Sequence, residues 1–509
     1  MEPRSRMEKT PMPGEKDKLP SQQAGDSYQH LKSGRAKAAI VGVAWSTMNS
    51  LVPLVVSVGV FTITSRYLSP AEFGVVAFAA GIASFASAIA PIGFGEAIVQ
   101  NTNIEKKHLD SVFWLCVAAA VIIYGGLLLA AWPLSGMSGE EQLAAFIAVI
   151  GARVIFDLAA TVPNALLTRS MSFDRLALRT TLAAVVSAVV CLTTLAMGYG
   201  AWALAISQLS AAMAASVAAF LSVKWKPSLH VDKASLSELK RFGLFASGNR
   251  ILTTVSVDQV MVGFLLGTTP LGLYGFAQRI HQILSQLIVG VLSSVSFPLL
   301  SSLRTEQTKL REVFLSATFV SSAVSFPVFL GLAVVARDLI PFVFGTQWVD
   351  AVLPLQAFCV IGLLTSIGVL QSSLIRSQGK VDWWMWYMAT NQLLTALTVL
   401  ISYSFGVGVM VFAIALKTLL YWPVSAVLTA KILQMNTWSY LKIFTVPLAA
   451  AILMLLGTSL LHEYLGTQKE IVRLLLEIIF GASIYVCITF YFARDKISNL
   501  KSVFKKTRS

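Results

Sequence analysis

Arg153 and Asp157 stand four residues apart inside an otherwise apolar stretch, a spacing that puts both side chains on one face of a helix. Arg250 and Asp258 lie eight apart in a second such stretch, Arg279 and His281 share a third, and Lys417 is alone in a fourth. Glu96 falls near the end of another. An ionisable group at the bilayer centre costs about 2.5–3.5 kcal/mol on insertion scales, so groups retained there mark ion pairs, cavities or ligand sites. The four cations Arg153, Arg250, Arg279 and Lys417 outnumber the two acids Asp157 and Asp258. Such a surplus suits an anion, and a guanidinium binds phosphate oxygens through paired hydrogen bonds. A diphosphate crossing a low-dielectric region needs compensation of this kind. The four cations are therefore the expected substrate-binding set lining a cavity, with Asp157 and Asp258 as cavity acids. A purely structural Arg153–Asp157 pair is the competing reading. Asp258 is expected to meet Arg279 if a hairpin turns around Gly267 to Pro270. His281 and Glu96 are the candidates for ion coupling, against a packing role for the histidine and a water-accessible helix end for the glutamate.

The elements that must position these groups are read from composition. Of 509 residues, 56% are apolar and 13% charged, about half the charge of a soluble domain. Long apolar runs separated by short charged links imply an all-α integral membrane protein. We read about fourteen transmembrane helices at roughly 38–65, 72–100, 109–132, 141–167, 174–198, 200–222, 242–266, 270–300, 313–336, 351–375, 382–404, 407–430, 440–461 and 471–493. Residues 1–37 read as a disordered cytoplasmic tail, with no short apolar region and cleavage site of a signal peptide. Residues 494–509 form a basic cytoplasmic tail. Prolines recur inside the spans, at 53, 91, 163, 298, 327, 354 and 423, as bending points or static kinks.

Charge supplies the topology. With a cytoplasmic N-terminus, 31 of the 39 Lys and Arg fall in cytoplasmic segments, including Arg169, Arg175 and Arg179 after the fourth span. Only Arg66, Arg337, Lys469 and Arg473 fall opposite. That asymmetry puts both termini inside and supports an even number of spans. It also explains the net charge of +14 without nucleic acid as a partner. Trp383, Trp384, Trp386 and Tyr387 cluster at a cytoplasmic helix start. They read as an interfacial aromatic belt, with a sugar-stacking platform as the less favoured alternative. Glu477, in the last span, is expected at an interface or near headgroups.

The chain repeats itself. LSPAEFGVVAFA at 68–79 and LGTTPLGLYGFA at 266–277 share Leu, Gly, Phe and Ala at an offset of 198. Arg169-Ser170 and Arg376-Ser377 match at 207, and Gly200 and Ala205 match Gly408 and Ala413 at 208. These matches divide the chain into an N-lobe (38–222), a cytoplasmic linker (223–241) and a C-lobe (242–430), followed by two further helices (431–493). Transporters are often built from such repeats, with the substrate between them.

The same stretches carry a resemblance. Arg66-Tyr-Leu-Ser-Pro-Ala-Glu-Phe-Gly-Val-Val-Ala resembles the Leu-x-Pro-x-x-Phe-Gly segment of bacterial oligosaccharide flippases. Asp258-Gln-Val-Met-Val-Gly-Phe-Leu-Leu-Gly followed by Leu271-Gly-Leu-Tyr-Gly-Phe-Ala resembles their seventh-to-eighth helix signature. Over about residues 38–435 the chain is similar to the Wzx-like polysaccharide transporters of the multidrug/oligosaccharidyl-lipid/polysaccharide exporter superfamily, nearest the exopolysaccharide branch. The resemblance implies two six-helix lobes in a V around a central cavity. It further implies a bacterial inner-membrane flippase that moves undecaprenyl-diphosphate-linked oligosaccharide to the periplasmic leaflet by alternating access. A polysaccharide polymerase and export machinery are the implied partners.

Other classes fit less well. A polymerase or glycosyltransferase needs catalytic groups in sizeable extramembrane loops, and the links here are short. There is no nucleotide-binding loop, metal-ligand cluster or nucleophile–base arrangement, so neither cofactor nor metal is expected. Cys116, Cys191, Cys359 and Cys487 lack motif spacing and read as packing residues. A drug/cation antiporter of the same superfamily wants acids in the N-lobe cavity, and residues 38–64 contain none. A peptidoglycan lipid II flippase is set aside only by the resemblance.

Overall fold

The computed structural model describes residues 51–492 except 102, 255, 304–305 and 465–469, and leaves the side chains of 249–254, 289–299, 301–302 and 470 undescribed. The N-terminal half runs α1 (Leu51–Tyr67), α2 (Pro70–Ala88), α3 (Gly93–Gln100), α4 (Lys106–Ser138), α5 (Leu143–Gly151), α6 (Arg153–Ala159), α7 (Thr161–Arg169), α8 (Phe173–Ala196) and α9 (Trp202–Ser222). The second half runs α10 (Lys233–Thr254), α11 (Val257–Leu266), α12 (Thr268–Ser302), α13 (Gln307–Phe344), α14 (Val352–Ser377), α15 (Val381–Ser402) and α16 (Val407–Ile432). Then follow α17 (Thr437–Leu441), α18 (Thr445–Tyr464) and α19 (Glu470–Phe492). Among the described residues nine helices are long and apolar enough to cross a membrane singly, and the bent run α5–α7 makes a tenth. The chain is thus an all-helical, multi-pass membrane protein. Each apolar segment of the sequence reading falls on a helix or a broken run of helices. The terminal tails and the start of the first segment lie outside the described residues.

The breaks have local causes. Pro91 lies in the gap between α2 and α3, where its missing N–H ends the helical ladder. Pro163 removes the hydrogen bond that would reach the carbonyl of Ala159, and the run bends by 42° at Ala160. The bend closes the C-terminal end of α6, the short helix that carries Arg153 and Asp157 and that a turn at Ala152 sets off from α5. Pro327 and Pro423 instead lie inside continuous helices, and Pro354 occupies the first turn of α14.

The two repeat hairpins meet each other. Ser69 and Glu72 form a reciprocal capping box, with Pro70 at the first helical position, and so start α2. A Cβ on Gly74 would sit 1.8 Å from the Thr268 carbonyl oxygen, and one on Gly272 would sit 1.8 Å from that of Pro70. Only glycine permits this backbone-on-backbone crossing. Beside it Phe276 stacks on Trp348 at 4.1 Å, with Phe61, Phe73 and Phe344 packed around them. Arg66 donates to the carbonyls of Phe342 (2.5 Å) and Val343 (2.7 Å), satisfying the last turn of α13.

At the other end the halves touch through α3 and α10. The Gly93 N–H donates to Ser247 Oγ at 3.0 Å, and Gly243 packs on the Phe94 ring. The link between the halves is pinned to α4: Asp110 accepts from Trp225 Nε1 at 3.1 Å and from the Ser228 hydroxyl, and Glu238 meets His108 at 3.0 Å. Asp232 precedes α10 and accepts from the Ser235 hydroxyl and from the N–H groups of Ser235 and Ala234, which hold its carboxyl below the ordinary range.

The last pair, α18 and α19, packs on α13. Arg473 reaches Asp338 at 2.5 Å, and His462 meets Glu477 at 2.8 Å and Asp338 at 3.4 Å. Glu477, expected at an interface or near headgroups, is 1% exposed and lies in the helix interface. His462 supplies the partner that lets the carboxylate enter the packed interface. Cys116, Cys191 and Cys359 are buried as packing residues, whereas Cys487 is exposed.

Candidate functional site

A cavity of about 650 Å³ opens in the N-terminal half, walled by α2, α3, α5–α7, α8 and α9. The bent run presents Arg153 and Asp157 to it, with Arg153 Nε donating to Asp157 Oδ2 at 2.9 Å. Both side chains are half-exposed, at 49% and 44%, so the pair is accessible rather than sealed. Glu96 enters from α3, Asn164 and Thr168 from α7, and Gln208 from α9. Arg179 completes the wall from the second turn of α8. It donates through Nη1 to Asn164 Oδ1, while its Nε–H is buried without an acceptor among the described residues. An unmet guanidinium donor beside a paired one is an arrangement that an anion can complete.

The remaining candidates are placed elsewhere. Asp258, at the start of α11, accepts from Tyr274 Oη and from Gln278 Nε2 at 3.5 Å. Tyr274 and Gln278 are four apart and share the face of α12 turned to α11. Arg279, one residue further, is rotated by about 100° from that face. It donates instead to Ser57 Oγ on α1. The expected Asp258–Arg279 pair is therefore absent among the described residues, and the helix rotation is the reason. Lys417 Nζ on α16 donates to Thr395 Oγ1 at 2.8 Å and Asn391 Oδ1 at 3.1 Å, both on α15. His281 stacks between Phe358 and Phe329, with Nδ1 buried and unpartnered. The side chain of Arg250, on α10, lies outside the described residues. The structure thus gathers Glu96, Arg153 and Asp157 at one cavity. It holds Lys417 and Asp258 in separate polar contacts of the second half, and Arg279 in a contact with α1 of the first half. The cavity around Arg153 carries two cations, Arg153 and Arg179, against two acids, Asp157 and Glu96, where the sequence reading expected a cationic surplus.

A family model described as polysaccharide biosynthesis protein matches residues 63–353, more than half of the chain. The chain belongs to that family. It is 23% identical over 469 residues to the teichuronic acid biosynthesis protein TuaB of Bacillus subtilis, covering 88% of this chain and 95% of that protein. It is 24% identical over 481 residues to the succinoglycan biosynthesis transport protein ExoT of Rhizobium meliloti, covering 91% and 95%. Among solved structures, the lipid II flippase MurJ in an inward closed conformation shares the fold, with a TM-score of 0.71 over 90% of this chain and all of that one, at 14% identity.

In this member of the polysaccharide biosynthesis protein family, sequence reasoning found Arg153, Asp157 and Glu96 but missed Arg179, Asn164 and Gln208. Arg179 was counted with the loop cations, although the span read from 174 already contains it. Its position one turn inside a span was the available signal. Asn164 and Gln208 carry no charge and so leave no mark in a charge-based reading.

Proposed function

We propose that the chain is a flippase that carries a lipid-linked oligosaccharide, attached through a diphosphate to undecaprenol, from the cytoplasmic to the periplasmic leaflet by alternating access. The observation that carries this reading is the N-half cavity, where Arg179 keeps an unmet donor beside the accessible Arg153–Asp157 pair. Membership of a polysaccharide biosynthesis family and a fold shared with a lipid II flippase support it. In this scheme phosphate oxygens take the Arg179 Nε–H and compete with Asp157 for Arg153. In the empty cavity Asp157 and Glu96 balance Arg153 and Arg179, so the protein tolerates the cycle without its substrate. Two six-helix lobes, 38–222 and 242–430, move about the linker 223–241, and fourteen spans place both termini in the cytoplasm of a bacterial inner membrane. Arg250, Arg279 and Lys417 serve the anion in other states of the cycle, with His281 as a secondary coupling group. A polymerase on the periplasmic side consumes the product.

The test is where the lipid-linked intermediate accumulates once the gene is deleted in its host. Right-side-out spheroplasts are treated with a membrane-impermeant glycosidase. Protected intermediate that becomes exposed on complementation supports the reading. Exposed intermediate with continued polymer synthesis in the deletion strain overturns it.

A further inference from the structure

The internal repeat reaches the cavity wall itself. At the 207-residue offset, Asp157, Leu158, Thr161 and Ala165 of the N-half cavity fall on Leu364, Thr365, Gly368 and Ser372. Those four residues line a second cavity, of about 390 Å³, between α14, α15 and α16. By this offset the two grooves fall at matching places in the two halves, and their content differs. Where the first wall holds Arg153, Asp157, Glu96 and Arg179, the second holds Trp384, Tyr387 and Trp422, with Asn391 and Thr418 as polar neighbours. No carboxylate is among its lining residues, and its one cation, Arg376, donates through Nε to the Ser372 carbonyl at 3.2 Å.

The rings are ordered against one another. Trp384 and Tyr387 have centroids 5.1 Å apart, and Tyr387 stacks on Tyr421 at 4.9 Å with an interplanar angle of 11°. Trp422 lines the cavity with a buried Nε1–H that has no acceptor among the described residues. An indole N–H donates only, and leaving it unmet in a buried place is unfavourable. The groove therefore asks for a ligand with an apolar face and an acceptor at its rim. A polyprenyl chain offers the first and not the second. A neutral sugar ring offers both, since its axial C–H groups pack on aromatic faces and its hydroxyls accept. Aromatic walls with a few placed polar groups are the usual make-up of a small-ligand pocket. The neighbouring Trp386 is 68% exposed on the opposite face of α15, so the interfacial belt and the cavity wall are separate parts of one cluster.

We propose that the second cavity is a glycan subsite. It holds a neutral hexose of the lipid-linked substrate against Trp384 and Tyr387, with Trp422 Nε1–H donating to a sugar hydroxyl, while the N-half cavity holds the phosphates. The inference rests on the flippase reading above.

The experiment compares two probes on the purified full chain by native mass spectrometry: undecaprenyl diphosphate, and undecaprenyl diphosphate carrying one hexose. The wild type is expected to bind the sugar-bearing lipid about tenfold more tightly, a difference of about 1.4 kcal/mol. Trp384→Leu, and Trp422→Phe, which keeps an aromatic ring while removing the N–H donor and part of the ring area, are each expected to cut that preference to about threefold or less. Affinity for the sugar-free lipid should stay within about twofold. Equal weakening toward both probes would show a groove for the polyprenyl chain and overturn the subsite. So would variants that keep the full preference, or a wild type that binds both probes equally, and in those cases the flippase reading stands. A wild type that binds neither probe overturns the flippase reading and the subsite with it.

Discussion

In the N-half groove Asp157 accepts from Arg153 at 2.9 Å and Arg179 leaves a donor unmet; at the matching place in the second half, Leu364 and Thr365 share a cavity with Trp384, Tyr387 and Trp422. At matching positions of the sequence repeat, the two grooves carry different chemistry. A carboxylate at 364 would have needed a cation of its own in a low-dielectric wall, and the repeat position of Arg153 is Val360. Losing both members of the pair leaves no uncompensated charge behind. The second half concentrates its ionic groups on other faces instead, with Lys417 between α15 and α16 and Asp258 in the α11–α12 hairpin. On the proposed reading, the two grooves bind two parts of one amphipathic ligand.

The largest effect should come from Arg179. Arg179→Gln removes the unmet donor and is expected to weaken undecaprenyl diphosphate binding about 10–100-fold, the range for charge-assisted hydrogen bonds. Arg179→Lys should recover only part, because an ammonium lacks the planar fork. A smaller loss, of about tenfold, is expected for Arg153→Gln, and the double variant with Asp157→Asn should bind better than the single one. A strictly additive double-mutant cycle would break the claim that Asp157 competes with phosphate for Arg153. Next, raising ionic strength from about 50 to 300 mM should weaken sugar-free lipid severalfold, since the Debye length shrinks toward the size of the cavity. The extra affinity contributed by a hexose should hardly move, and a hexose increment that falls with salt would argue that the second cavity is ionic after all. The smallest effect should be that of Trp386→Ala, within about twofold for either probe, because that ring lies outside both cavities.

Much of the fold was legible in the sequence because a bilayer demands long apolar runs and asymmetric charge, and both are linear properties of a chain. The Arg153–Asp157 pair was legible for a similar reason, since partners four residues apart are set by helix geometry alone. Contacts between helices were not. A membrane helix is apolar nearly all round, so periodicity does not say which face meets a neighbour. That is why Trp384 and Tyr387 were indistinguishable from Trp386, and why Asp258 was matched with Arg279 rather than Tyr274. The partner of Glu477, His462, was not legible because it comes from a different helix, and Arg179 was missed because charge counting treats every cation near a link as part of it.

The crossing of Gly74 and Gly272 has one more consequence. Any motion that opens that end of the molecule must part a backbone contact with no side chain free to yield, and must uncover Phe61, Phe73, Phe276, Phe344 and Trp348 together. Uncovering that much apolar surface to water raises heat capacity. The barrier to opening there therefore changes steeply with temperature, and a turnover limited by it follows a curved Arrhenius plot. A turnover limited by the other end, where polar contacts such as the Gly93 N–H to Ser247 Oγ and His108–Glu238 pairs join the halves and Phe94 packs on Gly243, uncovers fewer aromatic rings and follows a plot closer to a straight line.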